Sequence, residues 1–241
     1  MNILEVNNLI KDFGGLRAVD GLNISIEEGQ ILGLIGPNGA GKSTAFNCIA
    51  GVYSPTKGEI FFAGEKINRR KPWDLCKKGL ARTFQIVKPF SSKSVLYNVM
   101  VGSFVTTDKT AVAEEKALKV LRSLSFEDKK EERAGNLTIA ERKRLEIARA
   151  LATEPKILLL DEVMAGLRPA EVDEMVQIIQ KLRGQGITMF VIEHIMRAIM
   201  ALSDRIVVIH FGKKIAEGLP QEVASDDNVI KAYLGDEYVV S

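Results

Sequence analysis

Gly36-Pro37-Asn38-Gly39-Ala40-Gly41-Lys42-Ser43 follows the apolar run Ile31-Leu32-Gly33-Leu34-Ile35 and opens a helix-compatible stretch that starts at Lys42 and runs on through Thr44. Glycines at 36, 39 and 41 let successive backbone N–H groups turn inward around an anion, and a helix start adds the positive end of its dipole. A lysine at position 42 reaches β- and γ-phosphates, and the Ser43 hydroxyl is placed to ligate Mg²⁺. Pro37, Asn38, Ala40 and Thr44 complete the candidate lining. A pattern this specific arises by accident in roughly one chain in a hundred of this size. The reading is therefore a phosphate-binding loop between a strand and a helix, with a nucleoside triphosphate as its ligand.

Working outward, the 241 residues suffice for one large α/β domain or a core carrying an inserted subdomain. Lys and Arg (33) nearly balance Asp and Glu (31), and the resulting net charge of +2 leaves no electrostatic footprint for DNA or RNA. Nucleic acid is not an expected partner. Cys48 and Cys76 lack metal-ligand spacing and read as free thiols in a reducing compartment. No apolar run approaches 18 residues, and the N-terminal MNILEVNNLIKDF lacks a basic region followed by an apolar core. Neither a membrane span nor a signal peptide is expected, so a membrane role requires a partner.

Strand-length apolar runs recur at Ile31 to Ile35, Ile157 to Leu160, Ile187 to Ile192 and Arg205 to Ile209, with helical patterns of ten or more residues between the last three. This alternation predicts a parallel sheet covered by helices. The front of the chain is different: short alternating segments at Leu4 to Leu9, Leu22 to Ile26 and Glu59 to Phe62, with turns at Gly14-Gly15, Glu28-Gly29 and Lys57-Gly58, predict an antiparallel β layer. Val112 to Leu124 and Ile139 to Leu151 carry helical apolar spacing, and the charged run Glu127 to Arg133 reads as a solvated helix face or a loop. Three segments follow: 1–87 as the β layer and the first part of the core, 88–153 as a helical insertion, and 154–241 as the second part of the core with C-terminal helices.

A second half-site is written in Ile157-Leu158-Leu159-Leu160-Asp161-Glu162. A buried strand ending in acids delivers them where open α/β sheets bind ligands. Asp161 is the candidate Mg²⁺ ligand, directly or through water, and Glu162 the group that orients and deprotonates the attacking water. Thr138 and Glu141 form a T-x-x-E capping box ahead of RKRLEIARAL, which fixes a helix start with orphan N–H groups at that point.

Together these motifs resemble the ATP-binding cassette (ABC) ATPases over nearly the whole chain. The resemblance implies a P-loop NTPase (RecA-like) α/β core with an N-terminal antiparallel β subdomain and an inserted α-helical subdomain. It also implies ATP hydrolysis with Mg²⁺, driven by closure of a cassette dimer. Phe13 in KDFGG matches the aromatic that stacks on adenine. Gln85 in RTFQ matches the glutamine that senses Mg²⁺ and the γ-phosphate, and His194 in VIEH the histidine that contacts the γ-phosphate. His210 matches nothing and reads as structural. Thr138-Ile139-Ala140-Glu141 stands where the family has the Ser-Gly-Gly-Gln signature facing the opposite subunit's nucleotide, so both glycines are replaced; Arg168 stands where the family often has aspartate.

RTFQ, the MAGL that follows Asp161-Glu162, VIEHIM and the ending IKAYLG look like the ATPase subunits of branched-chain amino acid importers. That resemblance implies a second cassette as partner, a paralogue or a second copy, with integral membrane permease subunits and an extracytoplasmic solute-binding protein. The chain would then sit on the inner face of the cell membrane through the permease. Lipopolysaccharide-export cassettes share the YLG ending and are the alternative, as is a weakly hydrolysing regulatory module. The apolar cluster Ile86, Val87, Pro89 and Phe90 either docks a helix of the membrane subunit or packs the insertion onto the core.

Overall fold

The computed structural model describes residues 1–84 and 87–234. Two sheets enclose one helix between them, and further helices cover the other face of the larger sheet. The antiparallel sheet is formed by β1 (Asn2–Phe13), β2 (Leu16–Glu27), β4 (Lys57–Phe62) and β5 (Glu65–Lys66), in the order β2-β1-β4-β5. The larger sheet, in the order β10-β9-β3-β8-β7-β6, contains β3 (Ile31–Ile35), β6 (Leu80–Arg82), β7 (Ile157–Asp161), β8 (Thr188–Ile192), β9 (Arg205–His210) and β10 (Lys213–Gly218). Its strands run parallel except β10, which returns antiparallel along β9.

The central strands are buried on both faces, which explains why they read as unbroken apolar runs rather than as alternation. Leu158 and Leu160 enter one core while Ile157 and Leu159 enter the other. The same division holds for Ile31 and Ile35 against Leu32 and Leu34 on β3. One core lies beneath α1 (Lys42–Ile49), which packs between the two sheets with Phe46 stacked on Phe190 of β8 at 5.9 Å between ring centroids. The other lies beneath α3 (Val95–Ser103), α4 (Thr110–Ser123), α5 (Ile139–Leu151), α6 (Pro169–Gly184) and α7 (Met196–Leu202). The remaining helices are α2 (Pro72–Lys78), before β6, and α8 (Pro220–Ala224) and α9 (Asp227–Leu234), after β10.

Several elements depart from the sequence expectation. Lys57-Gly58 is no turn but the start of β4; Gly58 has φ +87°, and a Cβ there would lie 2.2 Å from the Asn8 carbonyl oxygen, where the register of β1 against β4 shifts. Only glycine tolerates that bulge. β1 and β2 are each 12 residues long and irregular in register, and both run beyond the alternating segments Leu4 to Leu9 and Leu22 to Ile26. The helix between β8 and β9 has seven residues rather than ten or more. Glu127 to Arg133 opens with a single 3₁₀ turn, Glu127–Lys129, and is otherwise loop. α2 and β6 are too short to carry a period, and β10 is a polar edge strand.

Candidate functional site

The loop 36–43 leaves the C-terminal end of β3, and its shape is imposed from two sides. Gly41, at φ +104°, caps α1; a Cβ there would fall 2.3 Å from the Ala18 carbonyl oxygen of β2. Gly212, in the β9–β10 turn, donates its N–H to the Ala40 carbonyl at 2.9 Å and accepts from the Asp20 N–H at 2.8 Å. The Lys42 ammonium donates to the carbonyls of Gly36 and Pro37 at 2.6 and 2.9 Å. Burial pulls its pKa down, and the nearby Glu162 carboxylate opposes that shift. The first turn of α1 carries no acidic residue, so its positive end is not neutralised by the helix itself.

A cleft of about 390 Å³ opens over this loop, and it brings Phe13, residues 38–44 and Glu162 together. Phe13 ends β1, packs edge-on against Tyr53 at 5.3 Å between centroids, and carries the Lys11 ammonium 4.8 Å from its ring centre. Its ring remains partly exposed toward the cleft, as an adenine platform requires. Phe211, which sequence reasoning missed, lines the same cleft from the β9–β10 turn at φ +46° and is 80% exposed. Arg17 lies in the cleft as well, tied to Asp12 and Asp20. Nothing in the spacing of Arg17 or Phe211 marks them; the meeting of β2 with the β9–β10 turn does.

Ser43 also lines an adjoining cavity of about 550 Å³, together with Asp161 and Arg82. Asp161 is buried, its N–H bonds the Thr83 hydroxyl at 3.1 Å, and its carboxylate lies 3.4 Å from the Arg82 guanidinium. Burial raises the Asp161 pKa, with Arg82 acting against the shift. A hydroxyl and a carboxylate facing one cavity are the hard oxygen donors that suit Mg²⁺, which keeps waters and phosphate oxygens as its other ligands. No group of three His, Cys, Asp or Glu side chains fit to hold a metal occurs among the described residues.

Glu162 itself has φ +48°, a left-handed conformation that costs a non-glycine residue energy unless its surroundings hold it. Its N–H donates to the Ile192 carbonyl at 2.9 Å, and its carbonyl accepts from the Lys143 ammonium at 3.0 Å. His194 lies just past β8 in an exposed bend, at the same end of the sheet as Glu162 but not among the residues lining the cleft. The expected role of Gln85 lies outside the described residues, as does Ile86.

Thr138, Ile139, Ala140 and Glu141 do not line this cleft either. The capping box forms as expected: Thr138 Oγ1 accepts from the Glu141 N–H, and the Glu141 carboxylate accepts from the Thr138 N–H at 2.8 Å, which with Lys129 holds its pKa below the usual carboxylate range. Ile139 is 61% exposed, so the helix start presents an apolar side chain outward where two glycines would present bare backbone. Arg168 is exposed and pairs with Glu171 at 2.8 Å.

Next to the site, Glu193 is buried, and its carboxyl is pushed up to about 7, chiefly by that burial. A folded-state value above the free one means that the stability this group contributes is complete below about pH 4.5 and is lost as pH rises through about 7. The loss is on the order of 3 kcal/mol. Thermal melts of wild type and Glu193→Gln from pH 5 to 8 should show the wild type losing stability relative to the variant; parallel curves would contradict this.

This combination of a parallel sheet, a phosphate loop after its central strand and acids at the end of a neighbouring strand defines a P-loop ATPase cassette. The ABC transporter family profile matches residues 19–165, and the chain belongs to that family. It is the ATP-binding, ATP-hydrolysing subunit of a transporter. A second profile, branched-chain amino acid ATP-binding cassette transporter, matches residues 213–239. The chain is 40% identical to the high-affinity branched-chain amino acid transport ATP-binding protein BraF of Pseudomonas aeruginosa, with 97% of this chain and 98% of that protein covered. It is 38% identical, at the same coverage, to LivG of Escherichia coli, which carries the same description. Among solved structures, a nucleotide-free ATP-binding cassette from an ABC transporter superposes with a TM-score of 0.89 at 32% identity, covering 98% of this chain and all of that one. A dimeric post-hydrolysis cassette bound to ADP and Pi superposes at 0.80 with 25% identity, over 90% of this chain and 98% of that one.

Proposed function

We propose that this chain powers import of branched-chain or similar amino acids, as one of two cassettes attached to membrane permease subunits and fed by an extracytoplasmic solute-binding protein. The observation that carries the mechanism is the meeting of residues 38–44 of the phosphate loop and Glu162 in one cleft, which Gly36 and Pro37 do not line, with Asp161 in the cavity that shares Ser43. The amino-acid class rests on the names of the relatives, which describe branched-chain amino acid transport. Lys42 and the inward N–H groups of the loop hold the phosphates, Phe13 receives the base, and Ser43 and Asp161 hold Mg²⁺, whose chemistry is to draw charge from the phosphate oxygens. Glu162 accepts the proton of the attacking water, and His194 and Gln85 contact the γ-phosphate. The donated half of each site comes from Thr138, Ile139, Ala140 and Glu141 of the opposite cassette.

No helix among the described residues is long and apolar enough to cross a membrane, so in this reading the chain is held peripherally on the inner face by its permease. The docking surface is the exposed apolar ground around Phe90. Asn98, fully buried, pins the Phe90 backbone from both sides at 2.8 and 3.2 Å, yet the ring stays 48% exposed beside Tyr97. Backbone packing and an outward ring therefore coexist, which accommodates both readings of this cluster.

The test is uptake of labelled leucine, isoleucine and valine by cells lacking the gene. Wild-type chain should restore uptake and Glu162→Gln should not; restoration of no amino acid uptake by wild type would sink the assignment. A second expectation concerns the partner. The acceptor half-site keeps Lys42 with Glu162 while the donor half carries Ile139, Ala140 and Arg168, which suits an asymmetric pair. Glycine at both 139 and 140 should raise the ATPase rate of the mixed complex by roughly threefold or more, because backbone can then approach the phosphate. An unchanged rate with an intact fold would remove the asymmetric pairing.

A further inference from the structure

Two buried ionisable side chains beside the site have no part in the reaction as described. Lys143, on α5 and 7% exposed, donates its ammonium to the backbone carbonyl of Glu162 at 3.0 Å. Glu193, 1% exposed, accepts the Met164 N–H on Oε1 at 2.8 Å, and the His194 N–H also favours its carboxylate form. The two attract each other, and the Glu162 carboxylate is the other charged group facing Glu193. Charges taken from water this completely are costly unless they hold something in place.

What they hold is one turn. Glu162 sits at φ +48°, and a left-handed non-glycine residue persists only where its neighbours over-determine it. Three bonds do so from three directions: Ile192 takes the Glu162 N–H, Lys143 takes its carbonyl, and Glu193 takes the N–H of Met164 two residues on. α5 is also the helix whose first turn carries the exposed Thr138 and Ile139, and Lys143 lies two residues past Glu141.

We propose that Lys143 and Glu193 are positioning residues that clamp the turn Glu162 to Met164 from α5 and from the end of β8, so that the Glu162 carboxylate is aimed into the cleft only while α5 is seated. The proposal rests on Glu162 being the general base. It makes the donated helix of a cassette answerable to that cassette's own catalytic carboxylate, through a single side chain. A misaimed base costs rate without costing affinity, because ATP is bound by the loop and not by Glu162.

Steady-state ATPase of the full chain in its cassette complex tests this, with ATP binding and thermal melting measured alongside. Lys143→Met and Glu193→Leu should each lower kcat by about tenfold or more with KM within about twofold. Lys143→Arg and Glu193→Gln, which retain a donor and an acceptor, should stay within about threefold of wild type. Adding Lys143→Met to Glu162→Gln should cause no further loss. Should a single variant fail to fold, Lys143→Met combined with Glu193→Leu removes both buried ionisable groups together, leaving neither without the other; that double variant should fold and lose kcat alike. Wild-type kcat in any of these disruptive variants, or kcat and KM changing together, overturns the clamp. Substantial hydrolysis by Glu162→Gln would instead overturn the base assignment, whereas an inactive Glu162→Gln beside a fully active Lys143→Met overturns the clamp alone.

Discussion

Glu162→Gln is expected to lower the ATP hydrolysis rate by about 10²- to 10⁴-fold, the range that removal of a positioned general base costs. The amide has the size of the carboxylate but cannot take a proton from water. Glu162 makes backbone bonds to Ile192 and from Lys143, and the variant keeps both while losing the proton acceptor. ATP affinity should stay within about twofold of wild type, since phosphate contacts come from the loop. With hydrolysis blocked and the γ-phosphate retained, the differential contacts that favour closure persist, and an ATP-dependent dimer should accumulate in size-exclusion chromatography. A rate above a tenth of wild type would remove Glu162 from its assigned role.

The second large effect concerns binding. Lys42→Ala is expected to weaken ATP affinity by about 10²-fold, close to 3 kcal/mol, the upper range for loss of a hydrogen-bond donor that carries charge. The change is doubly unfavourable. It removes the ammonium that meets the phosphates, and it leaves the Gly36 and Pro37 carbonyls without the donor they share in the free loop. Lys42→Arg should not rescue it, because a wide planar fork cannot replace a compact ammonium that is only 8% exposed. Titration with a fluorescent ATP analogue gives the answer; affinity within about threefold of wild type would mean that the backbone N–H groups alone hold the triphosphate.

How much of this could be read from the sequence depended on the distance over which each signal acts. The phosphate loop, the run ending in Asp161-Glu162 and the Thr138–Glu141 cap are local, each a constraint on neighbouring backbone, and the structure forms all three. The strands buried on both faces were legible because a parallel sheet demands continuous apolar runs. Lys143, Glu193 and Phe211 were not legible, since each owes its place to a contact between elements far apart in the chain. A lysine in RKRLEIARAL looks like any solvated helix residue until α5 is seen to lay it against the turn after β7. Gly58 was misread for a related reason: a glycine demanded by a neighbouring strand resembles one demanded by a turn.

The pairing of β3 has a consequence for synthesis. This strand carries the phosphate loop, yet its two neighbours in the sheet are β8, through Ile31 beside Met189, and β9, through Leu32 beside Arg205. During translation β3 emerges early and has no strand to pair with until most of the chain has followed it. A ribosome-bound fragment ending before β8 would thus present an apolar strand with both edges open, a state prone to joining other chains. Nucleotide cannot rescue such a fragment, because the β9–β10 turn, whose Gly212 N–H holds the Ala40 carbonyl of the phosphate loop, has not yet been made. The phosphate loop's strand is therefore completed on both edges only late in synthesis, once β8 and β9 have followed it.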